Sequence, residues 1–303
     1  MSFQFTPDQQ QAINGICNTL LAPLTFKSST IAVLTGAAGT GKTTVIGEVI
    51  EQVKKQNPHM PVSLCATTHR AAKVLEKIVN APVYTGHAIF KLRPSVTKWG
   101  KQTLKRVGIC EIPFESIVIL DEASMIGNKF LEAIVDIVKH RNLKLLFVGD
   151  PFQLPPPTDT CSIFDGSLVT FPLIQVHRQA LDNPILKKAT EFREYINGGP
   201  EPIIKSHLNV KNEGIHVLPH AEFVTKFVEK YMEYTTGAEV DIPLCTYTNE
   251  SAINYNSMIR KSAYFLDIPK SEISCLERFK VKHSFAVSAT FTTLSPRQVP
   301  ISK

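Results

Sequence analysis

One stretch limits the folds open to this chain more than any other: Ile31 to Val53, IAVLTGAAGTGKTTVIGEVIEQV. Ile31, Val33 and Leu34 form a short apolar run of the kind that makes a buried strand. Gly36-Ala37-Ala38-Gly39-Thr40-Gly41-Lys42-Thr43 then matches G-x-x-x-x-G-K-[ST] at each fixed position, and Thr44 follows. Beyond it Ile46, Val49, Ile50 and Val53 return at helical spacing. The loop therefore lies between strand and helix, where its chemistry needs it. Glycines permit the tight turn that points successive N–H groups at a polyphosphate, and the helix start adds the positive end of its dipole. Lys42 supplies a point charge for the β- and γ-phosphates, and Thr43 a hydroxyl ligand for Mg²⁺. A nucleoside triphosphate is the expected ligand.

Strand and helix patterns alternate from residue 31 to residue 148, which predicts an α/β fold with a doubly wound parallel sheet. Val62 to Cys65, Ile117 to Leu120 and Lys144 to Val148 are its further strands, and Leu173 to Val176 is the next candidate. Ile215–Leu218 and Ile242–Thr246, each followed by a helical pattern, read as further βα units. The expected division is a first domain at 1–175, a second at 176–268 and a basic tail at 269–303. At 303 residues the chain is long enough for two domains. No apolar run approaches the roughly 20 residues of a membrane span, and MSFQFTPDQQ has no basic region followed by an apolar one, so neither membrane nor signal peptide is expected. Six cysteines without a C-x-x-C pair favour free thiols in a reducing, cytoplasmic setting. The net charge of +6 suits an anionic partner such as nucleic acid.

The polar residues cluster where such a sheet places its ligands, after the strands. Thr6-Pro7 opens a helix that carries Gln9. A glutamine upstream of a P-loop can offer an acceptor and a donor to an adenine edge, or it can be one surface residue in the run Gln9-Gln10-Gln11. Ala66-Thr67-Thr68-His69-Arg70 and Tyr84-Thr85-Gly86-His87 can hold phosphates of a nucleic-acid strand or be ordinary loops. Residues 91–106, KLRPSVTKWGKQTLKR, carry six basic residues, no acid and the only tryptophan, Trp99. They read as a hairpin inserted at about 91–113, either a solvated basic loop or a projection whose tip stacks on a base. Asp121 and Glu122 close an apolar strand, where one carboxylate can hold Mg²⁺ and the other can deprotonate water. Asp150 and Gln153 follow the next strand.

The series GAAGTGKT, CATTHRAA, ILDEASM, GDPFQLPP and QVHRQ, in that order, resembles the motifs of superfamily 1 DNA helicases of the RecD-like branch, phage-encoded members among them, over residues 3 to 265. The resemblance implies a RecA-like P-loop domain followed by a partial second one, with ATP between them and single-stranded DNA across the top. It implies Gln9 on adenine, residues 36–44 on phosphate, and Thr43 and Asp121 on Mg²⁺. Glu122 would be the catalytic base, Gln153 the γ-phosphate sensor and Arg178 an arginine finger. Thr67, His69, Thr85 and His87 fall where the family contacts DNA, and Trp99 where it inserts a separation pin. The expected activity is ATP-dependent, 5′-to-3′ DNA unwinding by a monomer in the cytoplasm, or in the host cytoplasm if phage-encoded. Forked DNA and single-strand-binding or replication proteins are the expected partners, in replication, repair or recombination. The alternative is a nucleotide-gated single-strand-binding protein, or a motor fragment with DNA-stimulated ATPase and no unwinding. The family's later Thr-His-Gln-Gly and Tyr-Val-x-x-Thr-Arg motifs are not found at 269–303, so the second motor domain is expected to be incomplete.

Overall fold

The structure, a computed structural model, describes residues 4–23, 30–96, 102–156, 159–175, 184–208, 214–235, 244, 246 and 248–265. The chain divides into two compact units, Met1–Ile215 and His216–Lys303.

The first unit opens with helix α1 (Pro7–Leu21), whose start is fixed by a capping box: the Gln9 N–H donates to the Thr6 hydroxyl and the Thr6 N–H to the Gln9 amide oxygen. Then follow β1 (Thr30–Gly36), α2 (Lys42–Gln56), β2 (Val62–Ala66), α3 (His69–Val79), β3 (Val83–Thr85) and the single turn α4 (Gly86–Ile89). Strands β4 (Leu92–Val96) and β5 (Gln102–Arg106) pair antiparallel as the expected hairpin. Next come β6 (Ile117–Asp121), α5 (Asn128–His140), β7 (Lys144–Gly149), β8 (Val169–Leu173) and α6 (Pro184–Ile196). Strands β3, β2, β6, β7, β1 and β8 lie side by side in that order, all parallel. This is the RecA-like P-loop sheet that the motifs predicted. Strand β1 lies inside it, with β7 on one flank and β8 on the other. The loop after β1 therefore opens at the carboxyl edge beside the ends of β7 and β8, the position where open α/β sheets bind ligands.

The period-two geometry of strands explains why the central apolar runs are unbroken. Ala32 and Leu34, Ile117 and Ile119, and Leu146 and Val148 face one layer, against Ile13, Ile16 and Leu20 of α1, Val45, Ile46 and Val49 of α2 and Leu75 of α3. The alternate residues Val33, Val118, Leu120, Leu145 and Phe147 face the other layer, with Phe130, Ile134 and Val138 of α5. Phe90, Leu92, Cys110 and Ile112, at the base of the hairpin, belong to this second layer.

Two strand boundaries differ from expectation. Strand β8 lies at 169–173, four residues before the predicted Leu173 to Val176, with Val169, Thr170 and Pro172 exposed on the edge of the sheet. Residues 214–215 form β10, a short antiparallel pair with β9 (His207–Leu208), instead of opening a βα unit over Ile215–Leu218. In the second unit, helices α7 (His220–Thr235) and α8 (Asn249–Phe265) are joined by a His220 Nε2 to Tyr255 Oη hydrogen bond of 2.7 Å. Most of the predicted strand Ile242 to Thr246, the 269–303 tail, Trp99 and Arg178 lie outside the described residues. No helix among the described residues is long and apolar enough to cross a membrane.

Candidate functional site

The loop between β1 and α2 is shaped by glycines that have no substitute. Gly39 and Gly41 both have φ of 81°, the left-handed region that an L side chain rarely adopts, and Gly41 caps α2. A Cβ on Gly36 would meet the Thr40 hydroxyl at 2.5 Å and Leu173 Cβ at 3.0 Å. The Lys42 ammonium folds back over this loop and donates to the carbonyls of Gly36 (2.7 Å) and Ala37 (3.0 Å). Burial pulls the Lys42 pKa down, against the opposing attraction of Asp121 and Glu122. A desolvated ammonium beside a helix start, whose first N–H groups have no partner within the helix, is suited to receive an anion. Thr43 and Thr44 follow in the first turn of α2.

Gln9 is fully buried below the loop. Its amide oxygen accepts from Thr6 N–H at 3.0 Å, and its amide nitrogen donates to the Thr40 carbonyl at 2.9 Å. The helix cap and the P-loop are thus tied by one side chain. Its neighbour Asp8 accepts from the N–H groups of Ile174 and Gln175, both at 2.9 Å, just past the end of β8. Burial opposes the Asp8 charge, but the N–H of Gln175, the Thr6 hydroxyl and the N–H groups of Ile174 and Gln9 outweigh it and lower its pKa.

Asp121 and Glu122 stand at the end of β6, two strands from the loop. Glu122 has φ of 57°, a left-handed backbone unusual for glutamate. Its N–H donates to the Asp121 carboxylate at 2.9 Å, and its carbonyl accepts from the Thr67 hydroxyl at 3.2 Å. Burial raises the pKa of both acids; Asp121 raises that of Glu122 further, while Lys42 lowers both. Gln153 lies near enough to Glu122 to favour its charged form and accepts from the Ser124 hydroxyl at 3.1 Å. One hydroxyl and one carboxylate fit Mg²⁺, a hard ion that takes few protein oxygens and completes its shell with phosphate and water. Among the described residues no group of three or more His, Cys, Asp or Glu gathers as a metal cage.

Thr67 and His69 follow β2, Thr85 closes its neighbour β3 and His87 follows it; Ala66 pairs with Thr85, so the four gather at the same carboxyl edge. Thr85 caps the turn Gly86–Ile89 by accepting from the Ala88 N–H. His87 stacks on Phe130 with centroids 4.2 Å apart, and burial lowers its pKa. Arg193 is a residue that sequence reasoning did not single out. It reaches from α6 to an ion pair with Asp150 and lies over the Phe152 ring at 5.1 Å, and its charge is felt at Lys42.

The sequence model of a family described as AAA domain matches residues 4–194. Among the curated proteins similar to the chain are three that cover half of it or more. The RecBCD enzyme subunit RecD of Buchnera aphidicola subsp. Schizaphis graminum is 28% identical over 297 residues, covering 84% of this chain and 46% of that protein. The ATP-dependent DNA helicase dda of Enterobacteria phage T4 is 24% identical over 245 residues, covering 77% and 53%. An uncharacterized protein of Acanthamoeba polyphaga mimivirus is 27% identical over 170 residues, covering 50% and 34%. The chain thus spans about half the length of these relatives, or less.

Proposed function

The chain belongs to the AAA domain family, and on that premise we propose that it is an ATP-driven DNA helicase or translocase that moves along single-stranded DNA in the 5′-to-3′ direction. The observation that carries the reading is one carboxyl edge holding both kinds of apparatus. A desolvated lysine, two half-buried acids and a glutamine stand by the P-loop, and Thr67, His69, Thr85 and His87 stand at the carboxyl ends of the two neighbouring strands β2 and β3.

In this reading residues 36–44 cradle the triphosphate and Lys42 leaves its two carbonyls for the β- and γ-phosphates. Thr43 and Asp121 would hold Mg²⁺, which neutralises phosphate charge when bound. Glu122 takes the proton of the attacking water; its raised pKa makes it a stronger base than an exposed glutamate. Gln153, already against Glu122, aligns that water with the γ-phosphate. Gln9 supports the loop from below and shapes the adenine end of the site. Arg178 would act as an arginine finger, residues from 216 onward would begin a second motor lobe, and Trp99 would stack on a base at the hairpin tip.

ATPase and strand-displacement assays on the purified chain test this. DNA-stimulated hydrolysis with displacement of a strand annealed on a 5′-tailed substrate is expected, and Lys42→Ala should abolish both while the protein stays folded. DNA-stimulated hydrolysis without displacement would establish the motor fragment instead. Turnover retained in Lys42→Ala would remove the P-loop from the mechanism.

A further inference from the structure

Asp150 is 2% exposed at the end of β7, and a buried carboxylate persists only where a counter-charge and hydrogen bonds satisfy it. One of its oxygens accepts from the Phe152 N–H at 3.0 Å, and the other is the ion-pair partner of Arg193. The Asp150 carbonyl accepts from the Gln153 N–H at 3.1 Å, closing a tight turn. Gln153 at the end of that turn reaches Ser124 and Glu122. The Arg193 guanidinium also covers the Phe152 ring, so it grips the turn at two points. Arg193 thus stands at the head of an unbroken series of contacts that ends on the proposed base.

We infer that Arg193 is a positioning residue: through Asp150 it holds the 150–153 turn in the one shape that keeps Gln153 against Glu122. The inference rests on the proposed role of Glu122 in hydrolysis. The planar fork of arginine suits this task because it can pair with the carboxylate while lying flat on the ring, which a lysine cannot do. Because Arg193 belongs to α6 and not to the sheet, a displacement of that helix would be passed to Gln153.

The test is a double-mutant cycle in steady-state ATP hydrolysis. Arg193→Gln should lower kcat about tenfold to a hundredfold with KM for ATP within about twofold, because Gln153 acts on the transition state and not on ground-state binding. Arg193→Lys should recover part of the loss. In a Gln153→Ala background Arg193→Gln should add nothing, since its route to Glu122 is gone. Should Arg193→Gln fail to fold, the neutral pair Asp150→Asn/Arg193→Gln carries the same expectations without a stranded buried charge. A raised KM at unchanged kcat, or a loss that multiplies with Gln153→Ala, overturns the inference. A second readout needs no hydrolysis. In the nucleotide-free protein the side-chain amide signal of Gln153, followed by NMR, should move in Arg193→Gln and stay in place in Lys188→Gln, a change on the same helix. Wild-type protein that hydrolyses nothing but shows that shift would defeat the proposed function alone, and an unmoved signal defeats the inference.

Discussion

Replacing Gln9 separates two things a glutamine below a P-loop can do. Its side chain is fully buried, with Thr6 N–H on the oxygen and the Thr40 carbonyl on the nitrogen. Gln9→Ala removes a capping-box contact, worth about 1 kcal/mol, and leaves the Thr40 carbonyl without this donor, a further penalty of about 1–3 kcal/mol. A total of about 2–4 kcal/mol corresponds to a melting temperature lower by about 5–15 °C for a unit of this size. Gln9→Glu is the sharper variant. It still accepts from Thr6, so the cap survives, but it faces the Thr40 carbonyl with an oxygen and no donor. Its damage should therefore concentrate in the loop. Circular-dichroism melts, together with fluorescent-nucleotide titrations using ATP and GTP, read both quantities. The expected result is a large melting shift in Gln9→Ala, and loss of affinity for ATP and GTP alike in both variants. An unshifted melt with loss confined to adenine nucleotides would refute the reasoning and leave Gln9 as a base reader alone.

Glu122→Gln should bind ATP and Mg²⁺ yet turn over at least a hundredfold more slowly, because an amide cannot accept the proton of water; near-normal turnover would place the base elsewhere. His87 should make stability depend on pH. Its pKa is lowered in the fold, so the unfolded chain takes up the proton first, and stability should decline as pH falls below about 6.5, the ordinary histidine value. His87→Phe should flatten that decline in urea melts at pH 5 and 7 while keeping a ring on Phe130; an unchanged slope would discount the stacking environment as its cause. Oligo-dT should quench Trp99 emission, with binding that weakens as salt rises; emission unchanged at saturation would demote the hairpin to a solvated loop.

The sheet and the P-loop were legible because their signals are local: apolar runs at 117–120 and 144–148, and glycines at fixed offsets before a helix. The resemblance read from five ordered motifs, to superfamily 1 helicases of the RecD-like branch, is borne out by the family match and by the RecD and dda relatives. Strand β8 was displaced in the reading because an edge strand needs no apolar face; Pro172 within it gives up a donor that an edge can spare. Thr67 bracing Glu122 was hidden because it depends on Ala66 pairing with Asp121, a contact between distant segments. Arg193 was hidden for a different reason. A single arginine on a helix that also carries Lys187, Lys188, Glu191 and Glu194 reads as solvated surface until its partner Asp150 is placed beside it.

Odd and even residues of the central strands answer to different helices, and this has a mechanical corollary. The hairpin is footed through Phe90, Leu92, Cys110 and Ile112 in the slab shared with α5, whereas the P-loop helix stands in the opposite slab. A load on the hairpin enters through one slab and the grip on nucleotide rests in the other, with the strands as their common plate. A longer, recharged or blunted hairpin would therefore leave the footing of the phosphate loop in place.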